Sequence, residues 1–207
     1  MKLAKETNGW RILTLVLLIL VSVMYVEWES HRTADIVTGQ AQAQLLSELR
    51  DKEETLNLAI EFGFDPIIVQ VTRQLSANII RNSKHAPITW RFVRTEKELT
   101  YLLLSIVQTE SRGDYRAYNP SGASGLTQML LSTARQYDKS LQPHELFTIP
   151  KHLSIATEHF VDLLEKYRGN YTLAVLAWNR GSGAVDRSVS FGVSPENGYS
   201  NLVFTQA

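Results

Sequence analysis

The sequence predicts a mainly α-helical chain in three parts. These are a cytoplasmic N-terminus and transmembrane helix over residues 1–28, a helical stalk and linker over 29–94, and a helical domain over 95–207. Three observations carry this expectation: a charge-free run of Leu, Ile and Val near the N-terminus, polar sequence with helical spacing after it, and a capped amphipathic helix that opens the remainder.

Ile12 to Val26 (ILTLVLLILVSVMYV) contains no charge and has no polar face. As a helix it spans about 22 Å, short of a hydrocarbon core of ~30 Å. Trp10 and Trp28 flank it and extend that length with residues that favour the membrane interface. Lys2, Lys5 and Arg11 precede the run, and Glu27 and Glu29 follow it. The positive-inside rule then places the N-terminus in the cytoplasm and everything after the run across the membrane. A cleaved signal peptide would need small residues after the apolar run. Tyr25-Val26-Glu27-Trp28-Glu29 is bulky and charged, so an uncleaved, single-pass signal anchor in the cytoplasmic (inner) membrane is the expectation.

From Ala34 to Phe64 the pattern is helical and polar. Leu45, Leu49 and Leu56 keep spacings of four and seven, but Lys52 interrupts the seam, which leaves a plain stalk rather than a coiled coil. Gly63 and Asp65-Pro66 punctuate the chain, with Asp65 as N-cap and Pro66 at the first helical position. The helix from Pro66 to about Arg81 then aligns Ile68, Val71, Leu75 and Ile79. No acidic residue occurs between Asp65 and Glu96, whereas Arg73, Arg81, Lys84, Arg91 and Arg94 are basic. That segment reads as either a solvated linker face or a docking surface for anionic groups.

Thr95-Glu96-Lys97-Glu98 is a capping box, Thr first and Glu three residues on. It opens a helix with Leu99, Leu102, Leu103 and Ile106 on one stripe, which Glu110 continues. A carboxylate at the buried end of such a helix is desolvated, the environment of an acid still protonated near neutral pH. The pattern is equally consistent with a glutamate that snorkels or pairs with Arg112 or Arg116.

Composition bounds the chemistry. The chain of 207 residues is 44% hydrophobic and 20% charged, enough for one domain of ordinary size but not two large ones. Its net charge is zero, so nothing global points to nucleic acid. The absence of cysteine excludes disulfides, thiolate metal sites and Cys nucleophiles, and suits an oxidising compartment. His31, His85, His144, His152 and His159 show no metal-ligand spacing, although His152 and His159 share a helix face.

Glu110-Ser111, then Ala117-Tyr118-Asn119-Pro120-Ser121-Gly122-Ala123-Ser124-Gly125-Leu126-Thr127-Gln128-Met129, then Ala177-Trp178-Asn179-Arg180-Gly181 follow one another in order. Together they resemble the three motifs of family 1 lytic transglycosylases (E-S, G-A-x-G-L-M-Q, A-Y-N-x-G), at similar spacing, over about Thr95 to Val203. The resemblance implies a lysozyme-like helical fold, a peptidoglycan substrate and no cofactor or metal. It implies Glu110 as the one catalytic acid, which protonates the glycosidic oxygen between MurNAc and GlcNAc. The substrate's N-acetyl group would stabilise the oxocarbenium-like centre, and Glu110 would then take the proton of the MurNAc O6 hydroxyl to close a 1,6-anhydro ring.

Most glycosidases use two carboxylates, but no second acid shares a motif with Glu110; Asp114 is its nearest neighbour in sequence. Asn119 and Gln128 offer amide donors and acceptors to N-acetyl and lactyl-peptide groups, or stabilise their own turn. Ser111 serves either substrate or a neighbouring helix end, and Met129 either substrate or core. Asn179 belongs to the third motif.

Three departures stand out. Thr127 replaces the usual Met, and Trp178 replaces the tyrosine of A-Y-N, whose hydroxyl is thought to bond the catalytic Glu. Pro195-Glu196-Asn197-Gly198-Tyr199 is shorter than the family's P-x-E-T-x-x-Y, which makes Tyr199 a cleft or packing residue. The expected protein is a membrane-anchored lytic transglycosylase facing the periplasm or cell wall. A hydrolytic lysozyme of the same fold, or a weakly active glycan-binding adaptor of a secretion, conjugation or phage-assembly machine, are the competing readings.

Overall fold

The computed structural model describes residues 3–82 and 95–206, with backbone alone for residues 3–15. Lys84, Arg91 and Arg94 of the basic stretch lie outside the described residues. The chain divides into two units, residues 1–53 and 54–207. The first is helix α1, Leu3–Phe62, whose last residues belong to the second unit. Val16 to Trp28 are exposed along it. The transmembrane helix expected over 1–28 is not found: among the described residues no helix is long and apolar enough to cross a membrane.

The second unit is built from α2 (Pro66–Asn82), α3 (Glu96–Ser111), a small antiparallel hairpin of β1 (Ala123–Ser124) and β2 (Met129–Leu130), α4 (Leu131–Ala134), a 3-10 turn (Pro143–Phe147), α5 (Ile149–Lys166), α6 (Tyr171–Arg180), α7 (Ser182–Ser190) and α8 (Tyr199–Phe204). The fold is therefore mainly helical, with α3 at its centre. Leu99, Leu102, Leu103 and Ile106 pack with Phe160, Leu164 and Val175 from α5 and α6. Leu104 and Val107, on the opposite side of α3, pack with Leu58, Phe62, Phe64, Ile68 and Val69.

That second cluster changes the expected boundary. Residues 54–82, expected to be stalk and linker, bury Leu58, Ala59, Phe62, Phe64, Ile68 and Val69 in the same unit as α3. Local signals explain how the turn into α2 forms. The Asp65 carboxylate accepts from the Ile67 N–H at 2.9 Å, and Pro66 occupies the first helical position. The buried face of α2 carries Thr72 and Ser76 between Ile68 and Ile79, so it is rotated from the purely apolar stripe. Thr72 donates back to the Ile68 carbonyl at 2.8 Å, which satisfies its buried hydroxyl. Arg73 donates to Glu54 at 2.9 Å and to Thr55 at 2.6 Å, and Arg81 lies 3.8 Å from Glu96. These two basic residues thus have acidic partners within the unit.

Thr95 caps α3, its hydroxyl accepting from the Glu98 N–H at 3.1 Å. The Glu98 carboxylate accepts from the Tyr171 hydroxyl at 2.9 Å, linking the start of α3 to the start of α6. At its other end α3 stops on Arg112, in the left-handed region at φ 55°, whose N–H returns to the Val107 and Gln108 carbonyls. This abrupt stop leaves Glu110 in the last turn.

Candidate functional site

Glu110 lines a groove of about 660 Å³. Its walls come from the loop and hairpin between Asn119 and Leu130, from His159 on α5, and from Ala177 to Arg180 at the end of α6. Glu110 is the only acid among the described residues lining it. Asp114 turns the chain instead, its carboxylate accepting from the Arg116 N–H at 2.9 Å.

The carboxyl of Glu110 is held above its ordinary range by burial; a hydrogen bond from Tyr199 pulls the other way. The Tyr199 hydroxyl donates to Glu110 Oε1 at 2.5 Å. Tyr199 is itself 8% exposed, and burial and the neighbouring Glu110 push its own proton loss to higher pH. The phenol therefore stays a donor. The hydroxyl that the family pattern assigns to the position of Trp178 is supplied here from α8.

A short polar relay positions α8. Glu196 accepts from the Gly198 N–H at 2.7 Å and from the Ser200 hydroxyl at 2.6 Å. Asn197 accepts from the Tyr199 N–H at 3.1 Å and donates to Asn179 Oδ1 at 3.0 Å. Arg180 donates to the Pro195 carbonyl. Asn179 thus lines the groove and fixes the segment that delivers Tyr199.

The loop carrying Gln128 is locked from behind by His152, which is 1% exposed. The Thr127 N–H and hydroxyl reach His152 Nε2 at 3.1 and 2.8 Å, while Nδ1 lies 2.9 Å from the Leu146 carbonyl. A backbone N–H can only donate, so Nε2 is the acceptor and Nδ1 carries the proton. Burial lowers the imidazole pKa to about 4, the Leu146 carbonyl opposing it. The departure at Thr127 has its reason here: its hydroxyl is 1% exposed chain interior, facing a histidine. Gly125 has φ 73°, and a Cβ there would stand 2.2 Å from the Leu146 carbonyl oxygen and 2.7 Å from His152 Nδ1.

The remaining expected site residues divide. Gln128 lines the groove with φ 48°, its amide donating to the Gly125 and Ala117 carbonyls at 3.0 and 3.2 Å. Its Oε1 is thereby oriented by the turn. Asn119 lines the groove and also accepts from the Ser121 N–H at 3.0 Å. Met129 is 4% exposed, in a core cluster with Leu141 and Leu146, and reaches the groove with one edge. Ser111 does not line the groove; its hydroxyl donates to the Leu126 carbonyl at 2.7 Å, tying α3 to the loop. Of the two roles left open for Ser111, substrate or a neighbouring structural partner, this bond supplies the second.

Trp178 lines the groove and packs on His159 at 5.1 Å and Phe160 at 6.2 Å between ring centroids. His159 was not among the expected site residues. The only signal for it was its shared helix face with His152, and the two prove to have different tasks. Among the described residues the arrangement provides one acid in a groove lined by amide side chains and an indole. Tyr199 lies outside the stretch of chain that matches a known family. Residues 93–192, which carry Glu110, Gln128 and Trp178, match the family described as the Transglycosylase SLT domain.

Proposed function

We propose that the chain is a lytic transglycosylase in which Glu110 acts first as acid and then as base. The observation that carries this reading is the partly buried Glu110 carboxyl, bonded by Tyr199 and raised in pKa by burial, and the one acid among the described residues that line the groove. Protonated Glu110 donates to the glycosidic oxygen between MurNAc and GlcNAc as the bond breaks. The substrate's acetamido oxygen stabilises the developing cation at C1. The Glu110 carboxylate then accepts the O6 proton, and O6 closes on C1 as a 1,6-anhydro ring. Tyr199 favours the carboxylate in the interval between the two proton transfers. Asn119, Gln128 and Asn179 supply amide groups along the opening, and Trp178 an apolar wall for a sugar face.

The test is a digest of purified sacculi with the full chain, read by mass spectrometry. Anhydro-MurNAc ends support the lytic reading, and reducing ends indicate a hydrolytic lysozyme. Binding without cleavage indicates a glycan-binding adaptor. We also propose that the N-terminal part of α1 holds the protein at the cytoplasmic membrane with the domain in the periplasm or wall. The exposed apolar side chains from Val16 to Val26, with Lys2, Lys5 and Arg11 before them, support this placement. Carbonate extraction of membranes checks it: a chain released into the soluble fraction would rule out the anchor.

A further inference from the structure

His159 lines the groove beside Trp178, their rings tilted by 48°, and also meets the edge of Tyr137 at 5.7 Å. The Tyr137 hydroxyl donates to Asp162 Oδ2 at 2.8 Å and lies 3.0 Å from His159 Nδ1. A phenol has one proton, and the carboxylate receives it. The contact to Nδ1 then requires its proton from the imidazole, so Nδ1 carries the hydrogen and the neutral ring keeps its lone pair on Nε2. Nε2 makes no hydrogen bond among the described residues, and it is not one of the side-chain atoms sealed from solvent without a partner. Burial favours the neutral imidazole, with Asp162 opposing it, and burial together with Asp162 keeps the Tyr137 phenol protonated.

We propose that His159 is a substrate-positioning residue whose Nε2 accepts a hydrogen bond from an N–H or O–H of the sugar that packs on Trp178, with Tyr137 and Asp162 fixing the tautomer. A pyranose offers both halves of this contact: an apolar face for the indole and, at its rim, hydroxyl or acetamido N–H donors. An acceptor at this point also discriminates, because an acetamido carbonyl or a lactyl carboxylate would face a lone pair. The proposal rests on reading the groove as a glycan site.

The test uses the full chain and soluble peptidoglycan strands. His159→Phe keeps the ring packing and removes the acceptor. It is expected to raise KM about five- to tenfold with kcat within about twofold, the scale of one neutral hydrogen bond. His159→Gln, whose amide oxygen accepts, is expected to recover most of that loss. Tyr137→Phe leaves the acceptor in place but frees the tautomer, and is expected to raise KM in part. Long-range ¹H–¹⁵N NMR should find the His159 proton on Nδ1 in the wild type and a mixture in Tyr137→Phe. An unchanged KM in folded His159→Phe, a Gln variant no better than Phe, or a wild-type ring protonated on Nε2 overturns the proposal. Should His159→Phe fail to fold, the Gln and Tyr137→Phe variants and the NMR signature decide it. Wild type that cleaves strands beside an unaffected His159→Phe sinks this proposal alone. Wild type that neither binds nor cleaves them removes the glycan reading and this proposal with it.

Discussion

Acidification should loosen the loop carrying Gln128 through His152 before it reaches most carboxylates. Buried beneath that loop, the imidazole falls from its ordinary 6.5 to a pKa of about 4 in the folded chain. Between those values the unfolded state binds a proton that the folded state refuses, so stability contributed by this group is complete above about pH 6.5 and is lost as pH falls. At about 1.4 kcal/mol for each tenfold change in proton affinity, the loss amounts to about 3 kcal/mol by pH 4. The geometry says where it falls: a proton on Nε2 would confront the Thr127 N–H at 3.1 Å, the residue next to Gln128. The assay is urea unfolding of the full chain from pH 7.5 to 4, compared with His152→Gln. The variant keeps an acceptor for Thr127 but strands the Leu146 carbonyl, so it should start about 1–3 kcal/mol less stable at pH 7.5. Its stability should then fall less steeply on acidification, the difference between the two curves changing by about 3 kcal/mol in the variant's favour by pH 4. Parallel curves would refute the reasoning.

Three further outcomes are expected. Glu110→Gln keeps shape and hydrogen bonding but removes the proton, and should cost about 10²-fold or more in turnover while its melting temperature stays near wild type; near-normal turnover on sacculi would displace Glu110. Tyr199→Phe removes a donor that favours the Glu110 carboxylate, so the Glu110 pKa rises further and the alkaline limb of the pH–rate profile, where the acid ionises, should move to higher pH. A limb that stays in place would reduce Tyr199 to packing. Gly125→Ala meets both a left-handed φ of 73° and the Leu146 carbonyl, and should destabilise the chain by about 2 kcal/mol or more in urea titration, combining backbone strain and overpacking.

The helices that carry the chemistry were legible because their signals are local. Thr95, the stripe from Leu99 to Ile106 and the position of Glu110 all follow from spacing within one helix, and the glycine-bearing loop announces its turns. What was not legible depends on distant pairing. Leu45, Leu49 and Leu56, whose seam Lys52 breaks, are exposed, and the buried set on α1 is Leu58, Ala59 and Phe62, a face the sequence did not single out. A reading confined to the helix cannot tell which apolar face will meet Leu104 and Val107. Ser111 presented the same difficulty, since its partner carbonyl is Leu126, fifteen residues on. Tyr199 reaches Glu110 across 89 residues, and Tyr137 meets His159 and Asp162 because the turn after α4 lies against α5. No sequence spacing encodes such meetings.

The cluster joining Phe62, Phe64 and Ile68 to Leu104, Val107, Leu126 and Leu153 has a practical consequence for dissecting this protein. A fragment cut at the family boundary, near residue 93, would strip one side of the helix that bears Glu110 of its apolar cover. The uncovered surface would seek another copy of itself, and such a fragment should be recovered as aggregate. The shortest piece able to bury its own interior begins at about Glu54, so residues 54–82 form part of the body that carries Glu110.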